Sequence, residues 1–146
     1  MKIIESNLNF NQLQNRKSTE LIILHHAEHS TCSVVDIHKW HKYANGWSGI
    51  GYHFFITKDG QIYKGRPEMS IGAQCKGFNS NSIGICVQGN YMIETVPKVQ
   101  LEALKILCEF LINKYSIKFI KLHRELNNTS CPGINFPTSL IKSILK

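Results

Sequence analysis

The sequence predicts an α/β fold, a single domain with a mixed central β-sheet flanked by helices, and three observations carry the prediction. Apolar runs of strand length alternate with longer stretches whose apolar residues recur at helical spacing, the pattern of strands joined by helical crossovers. One pair of β-prone runs is joined instead by Lys58-Asp59-Gly60, and Asp-Gly between such runs marks a hairpin, adding an antiparallel pair. A length of 146 residues, 42% hydrophobic and 18% charged, suits one domain with its own core and excludes a disordered chain.

Taken in order, Leu21-Ile22-Ile23-Leu24 is a continuous apolar run, read as a buried strand ending in His25-His26. From Ser33 to Ala44, the apolar residues Val34, Ile37 and Trp40 predict a helix with Trp40 in the core, stopped by Asn45-Gly46. Tyr52 to Thr57 and Gln61-Ile62-Tyr63 are the arms of the hairpin, and Ile83 to Val87 is another buried strand. Pro97 suits the first turn of a helix whose stripe is Leu101, Leu104, Leu107, Leu111 and Tyr115. Phe119 to Leu122 is a short strand with His123 at its end. After Cys131-Pro132-Gly133, a last helix from Pro137 is expected to turn Leu140, Ile141, Ile144 and Leu145 inward.

Seventeen basic residues against ten acidic ones give +7 with histidine neutral. The excess is uneven: residues 1–97 carry 9 basic and 7 acidic, residues 98–146 carry 8 and 3. Such a balance favours an anionic partner. The absence of a basic motif with interleaved aromatics argues against nucleic acid. No apolar stretch approaches the ~20 residues of a membrane span. The N-terminus turns polar after Ile3-Ile4 and lacks the apolar core of a secretory signal, so a cytoplasmic site of synthesis is expected. Five cysteines at irregular spacing make no disulfide framework; Cys32, Cys75, Cys86 and Cys108 read as buried small hydrophobes.

Two metal patterns compete. His25-His26-Ala27-Glu28-His29 spells H-x-x-E-H, a zinc-protease pattern that works only on a helix, where the two histidines share a face. Here it follows a strand and carries no helical stripe. The other pattern joins distant residues: His25 and His123 each end a strand, and Cys131 lies eight residues after His123. Ligands of α/β sheets gather at the carboxyl ends of strands. Two imidazoles and one thiolate would leave a tetrahedral zinc one open position, as catalytic sites do. On spacing alone, a buried free cysteine and two hydrogen-bonded histidines account for the same residues.

The ordered set Leu21-Ile22-Ile23-Leu24-His25-His26, Trp40-His41-Lys42, Gly51-Tyr52-His53-Phe54, Asp59-Gly60, Gly65-Arg66, Asn81-Ser82-Ile83-Gly84-Ile85 and His123-Arg124 with Cys131-Pro132-Gly133 resembles the zinc-dependent N-acetylmuramoyl-L-alanine amidases of the type 2 family. That family shares a fold with peptidoglycan recognition proteins and includes amidase-type phage lysozymes. The resemblance covers nearly the whole chain and implies one catalytic domain over 1–146. It also implies zinc held by His25, His123 and Cys131. The implied reaction is hydrolysis of the amide between N-acetylmuramic acid and the L-alanine of the stem peptide, as in an endolysin or autolysin. Cys131 sets the chain apart from recognition proteins that bind peptidoglycan without cutting it; a non-catalytic binding module is the rival reading.

Tyr52 matches the family's catalytic tyrosine, and Thr129 falls where some members carry lysine and others threonine. Their hydroxyls are the candidate donors to the oxyanion, while the general base is left unassigned. Trp47, Arg66 and Asn81 are candidate substrate contacts, and His26, by strand alternation, faces away from His25. Implied besides are a monomer, peptidoglycan as partner, action on the wall after release from the cytoplasm, and electrostatic attraction to anionic envelope polymers.

Overall fold

The computed structural model describes residues 1–145. Its sheet has six strands: β1 (Ile3–Ile4), β2 (Leu21–His26), β3 (Phe54–Ile56), β4 (Ile62–Lys64), β5 (Ser82–Val87) and β6 (Phe119–Leu122). They lie in the order β1-β4-β3-β5-β2-β6. Only the hairpin pair β3–β4 is antiparallel; the other pairings are parallel. The mixed α/β sheet is thus as expected, with the edge strand β1 added. Four helices accompany it: α1 (Val34–Lys39), α2 (Lys98–Lys114), α3 (His123–Leu126) and α4 (Thr138–Lys142).

Side chains alternate across the sheet, and the two faces have different tasks. Ile22 and Leu24 of β2, Ile83 and Ile85 of β5, and Ile120 and Leu122 of β6 point to one face. There they pack with Leu104, Leu107, Cys108 and Leu111 of α2 into the main core. The opposite face carries Leu21, Ile23 and His25 beside Ser82, Gly84 and Cys86, their partners in β5. It is covered partly by Val34 and Ile37 of α1 with Ile50, and partly by the loop bearing Cys75. Cys32, Cys75, Cys86 and Cys108 are buried free thiols, as anticipated.

Ser33 caps α1: its side chain accepts from the Asp36 N–H, and Asp36 reciprocates to the Ser33 N–H, a capping box that satisfies two end groups. The helix then widens into a π-turn over Trp40–Ala44, closed by Asn45 N–H donating to Trp40 O. Trp40 corrects the prediction, since it is 42% exposed. The buried residues of α1 are Val34, Ile37 and His38, so the inward line continues to position 41 by helical periodicity, and Trp40 falls on its flank. Leu140 is likewise 52% exposed, while Ile141 is fully buried. The helix ends at Lys142, short of the predicted stripe, and Ile144 and Leu145 pack against the core from the turn that follows it.

Candidate metal centre and the groove beside it

Parallel register brings the two histidines together. Leu24 of β2 pairs with Leu122 of β6, so His25 and His123, the next residues, stand side by side with ring centroids 4.6 Å apart. Cys131 returns to them on the loop after α3, which is pinned by Arg124 N–H donating to Cys131 O at 2.9 Å. The Cys131 N–H donates to Thr129 Oγ1 at 3.2 Å. Its sulfur faces His25 Nδ1 at 3.7 Å and the His26 N–H at 3.4 Å.

One ligand atom from each of His25, His123 and Cys131 lies within 4.8 Å of the others. Zinc–sulfur and zinc–nitrogen bonds of ~2.3 and ~2.0 Å at a tetrahedral angle place N and S about 3.5 Å apart, close to the 3.7 Å between His25 Nδ1 and Cys131 Sγ. The second nitrogen of each ring is occupied: His25 Nε2 meets Gln74 Oε1 at 2.5 Å, and His123 Nε2 meets Asn127 Oδ1 at 2.9 Å. Burial, with His123 adding to it, pushes His25 down to about 3, and burial also lowers His123. Both rings are therefore neutral donors at neutral pH. Burial pushes the Cys131 thiol up to about 12, so without a cation beside it the sulfur keeps its proton. Donor set, spacing and protonation fit a zinc ion.

A groove of about 560 Å³ opens beside these residues, lined by His41, Trp47, Tyr52, Gln74, Lys76, Asn79, His123 and Asn127 among others. The Tyr52 ring centroid is 4.8 Å from that of His25. Burial raises its phenol well above the usual range, which leaves it a hydrogen-bond donor. Trp47 packs against His41 at 4.8 Å. His41 accepts from the Gly51 N–H at Nδ1 (2.9 Å) and burial lowers it to about 4.

Other sequence candidates lie elsewhere. Arg66 is buried and donates to the carbonyls of Gly49, Ile50 and Ile71; the pocket it lines is a separate one with Gln12 and Gln14. The Asn81 amide reaches Glu20 at 3.5 Å, beside the amino-terminal ends of β2 and β5. Thr129 is exposed and touches the site through the Cys131 N–H. The H-x-x-E-H segment is not helical: His25 and His26 end β2, Glu28 is left-handed at φ 58°, and His29 bridges Gly89. His26 faces the core, where its Nδ1 accepts from the Tyr91 N–H at 3.0 Å.

Gln74 and Asn127 join the site through His25 and His123 without being among the residues the sequence pattern marks. Asn127 had a signal, since it lies four residues after His123, one helical turn. Gln74, a lone amide in a loop, had none.

The profile of the family described as N-acetylmuramoyl-L-alanine amidase matches residues 15–134. The endolysin of Escherichia phage T7 is 34% identical over 133 residues, which cover 85% of this chain and 87% of the phage protein. Peptidoglycan-recognition protein SC2 of Drosophila melanogaster is 34% identical over 124 residues, covering 77% of this chain and 67% of its own. Among solved structures, the N-acetylmuramoyl-L-alanine amidase LysC from Clostridium intestinale superimposes with a TM-score of 0.95 at 40% identity, covering 98% and 96% of the two chains.

Proposed function

The chain belongs to the N-acetylmuramoyl-L-alanine amidase family and is an enzyme of it, and from that premise we propose a zinc-dependent reaction. The bond cut is the amide between N-acetylmuramic acid and the L-alanine of the peptidoglycan stem peptide. The observation that carries this reading is the convergence of His25, His123 and Cys131 within 4.8 Å at the edge of the groove that also holds Tyr52. Zinc held there would supply Lewis acidity, polarising the scissile carbonyl and making hydroxide available at neutral pH.

The chain's own residues do the rest. His25 and His123 present Nδ1, because their Nε2 atoms are engaged by amide oxygens. Cys131 contributes a thiolate once a cation draws off its proton. Tyr52 stays protonated and donates to the oxyanion that develops as the carbonyl becomes tetrahedral, a contribution of ~2.7–4 kcal/mol in comparable sites. Thr129 serves the same reaction from the ligand loop, with its Oγ1 accepting the Cys131 N–H. Trp47, exposed beside His41, offers an apolar face to the glycan or peptide.

In this reading residues 1–146 work as one catalytic domain, a monomer acting on the wall after release from the cytoplasm. Among the described residues no helix is long and apolar enough to cross a membrane. Mass spectrometry of digested cell walls tests the proposal. Free stem peptides should appear, vanish with chelator and return with added zinc. Binding to walls without peptide release would establish the non-catalytic module instead, and release untouched by chelator would overturn the metal.

A further inference from the structure

We infer that Gln74 is a positioning residue for the metal centre, its amide oxygen holding His25 in the tautomer that leaves Nδ1 free to face Cys131. The inference rests on the proposed metal reading. Its support is a buried chain of hydrogen bonds that runs in one direction.

The direction is set at the far end of the chain, at Ser82. Ser82 Oγ donates to the Phe78 carbonyl at 2.7 Å, so its single proton is spent and toward Gln74 it can only accept. Gln74 Nε2 donates to it at 2.8 Å, which turns Oε1 toward His25 Nε2, 2.5 Å away. An amide oxygen only accepts, so the proton of the neutral ring must sit on Nε2. Nδ1 is left with its lone pair aimed at the sulfur of Cys131, 3.7 Å away. The second histidine is held by the same logic. Asn127 Nδ2 donates to the Lys76 carbonyl at 3.2 Å, and Oδ1 faces His123 Nε2 at 2.9 Å.

The fold reserves room for this arrangement. The backbone N–H groups of Gln74 and Cys75 both donate to Asn79 Oδ1 at 2.9 Å, which holds the loop in place over the sheet. Beneath it a Cβ on Gly84 would stand 2.6 Å from Gln74 Cγ, so only glycine at that point of β5 lets the side chain cross to His25. A neutral carboxamide orients the ring without adding a second negative charge to a site that already includes a thiolate. Outer partners of this kind fix ligand orientation and basicity, and their loss weakens metal binding ~10–100-fold.

The test compares wild type, Gln74→Leu and Gln74→Glu for zinc affinity, by competition with a chromophoric chelator. Long-range ¹H–¹⁵N spectra of metal-free wild type report the His25 tautomer. Gln74→Leu should bind zinc ~10–100-fold more weakly, Gln74→Glu, which keeps an acceptor, should recover most of the loss, and the spectra should show a proton on Nε2. A Gln74→Leu protein that melts lower yet binds zinc like wild type would reduce Gln74 to a packing residue. A proton on Nδ1 of metal-free His25 would overturn the inference even if Gln74→Leu failed to fold. Wild type that binds no zinc would overturn the metal reading itself.

Discussion

Cys131 Sγ lies 3.7 Å from His25 Nδ1 across a separation of 106 residues in sequence, with the thiol raised to about 12 and the imidazole lowered to about 3. These opposite shifts have one main cause, burial, which disfavours charge on either group. They predict the proton balance of zinc binding. At neutral pH both histidines are already neutral and release nothing, while Cys131 must lose its proton to ligate. Zinc binding should therefore release about one proton, and affinity should rise about tenfold per pH unit through neutrality. Calorimetry in buffers of different ionisation enthalpy measures that number directly; a value near zero would remove Cys131 from the ligand set.

Tyr52 predicts a separation of chemistry from metal binding. Its phenol is half-buried, held protonated, and close to His25, yet it belongs to none of the ligand contacts. Tyr52→Phe removes one donor and little volume. It should lower kcat ~10²–10³-fold, the cost of one oxyanion donor, with zinc affinity and melting temperature near wild type. Loss of zinc together with activity would show instead that the ring supports the ligands.

Much of this was legible in the sequence, for identifiable reasons. Apolar runs show where strands end, so His25 and His123 could be placed at strand ends, and parallel register then made them neighbours. Less local features left no trace. Whether Arg66 faces solvent or the carbonyls of Gly49, Ile50 and Ile71 depends on loops that fold around it. The position of Gln74 depends on an absent side chain ten residues later, at Gly84. Trp40 is apolar, yet the helical phase set by Val34, Ile37 and His38 turns His41 rather than Trp40 inward.

Gly84→Ala should act through Gln74. The new methyl would meet Gln74 Cγ, Cδ and Oε1 at 2.6, 2.7 and 3.0 Å, and the movable partner is the amide side chain. Overpacking of this sort costs ~1–3 kcal/mol. Zinc affinity should fall as it does in Gln74→Leu, and the double variant should fall no further, the non-additivity of two changes to one contact. Additive losses would show that Gly84 reaches the site by some other path.

Acid should destabilise the metal-free protein through a histidine outside the centre. His53 is fully buried, accepts from the Gly84 N–H at Nδ1 (3.0 Å) and faces Ser70 O with Nε2 (2.8 Å). Burial and the nearby Arg16 and Arg66 charges bring it to about 3, against the Ser70 bond and Glu68, which oppose the shift. Its unfolded value is ~6.5, so its folded value is depressed. Above pH ~6.5 neither state binds the proton. Below it the unfolded chain takes a proton that the folded chain refuses, and stability falls by about 1.4 kcal/mol per pH unit down to about pH 3. His25 behaves the same way in metal-free protein. Urea unfolding across this range should show the slope, and His53→Asn, which cannot be protonated, should reduce it; an unchanged slope would assign acid sensitivity elsewhere.

The basic excess of residues 98–146 predicts a salt effect, once the ion pairs are taken into account. Lys114, Lys118 and Lys142 are paired with Glu68, Glu20 and Glu125, so their charges are locally balanced. Lys98, Lys105 and Lys121 carry no ion pair among the described residues, and Lys98 and Lys105 share helix α2, on the far side of the sheet from the groove. Attraction to an anionic envelope through such residues is screened beyond ~8 Å at physiological ionic strength. Lysis of whole cells should slow as salt is raised. Lys98→Glu with Lys105→Glu should slow it at low salt and flatten the dependence, while hydrolysis of a small soluble muropeptide, which needs no long-range capture, stays at the wild-type rate. If the doubly reversed variant lysed cells as fast as wild type at low salt, α2 would have no part in capture.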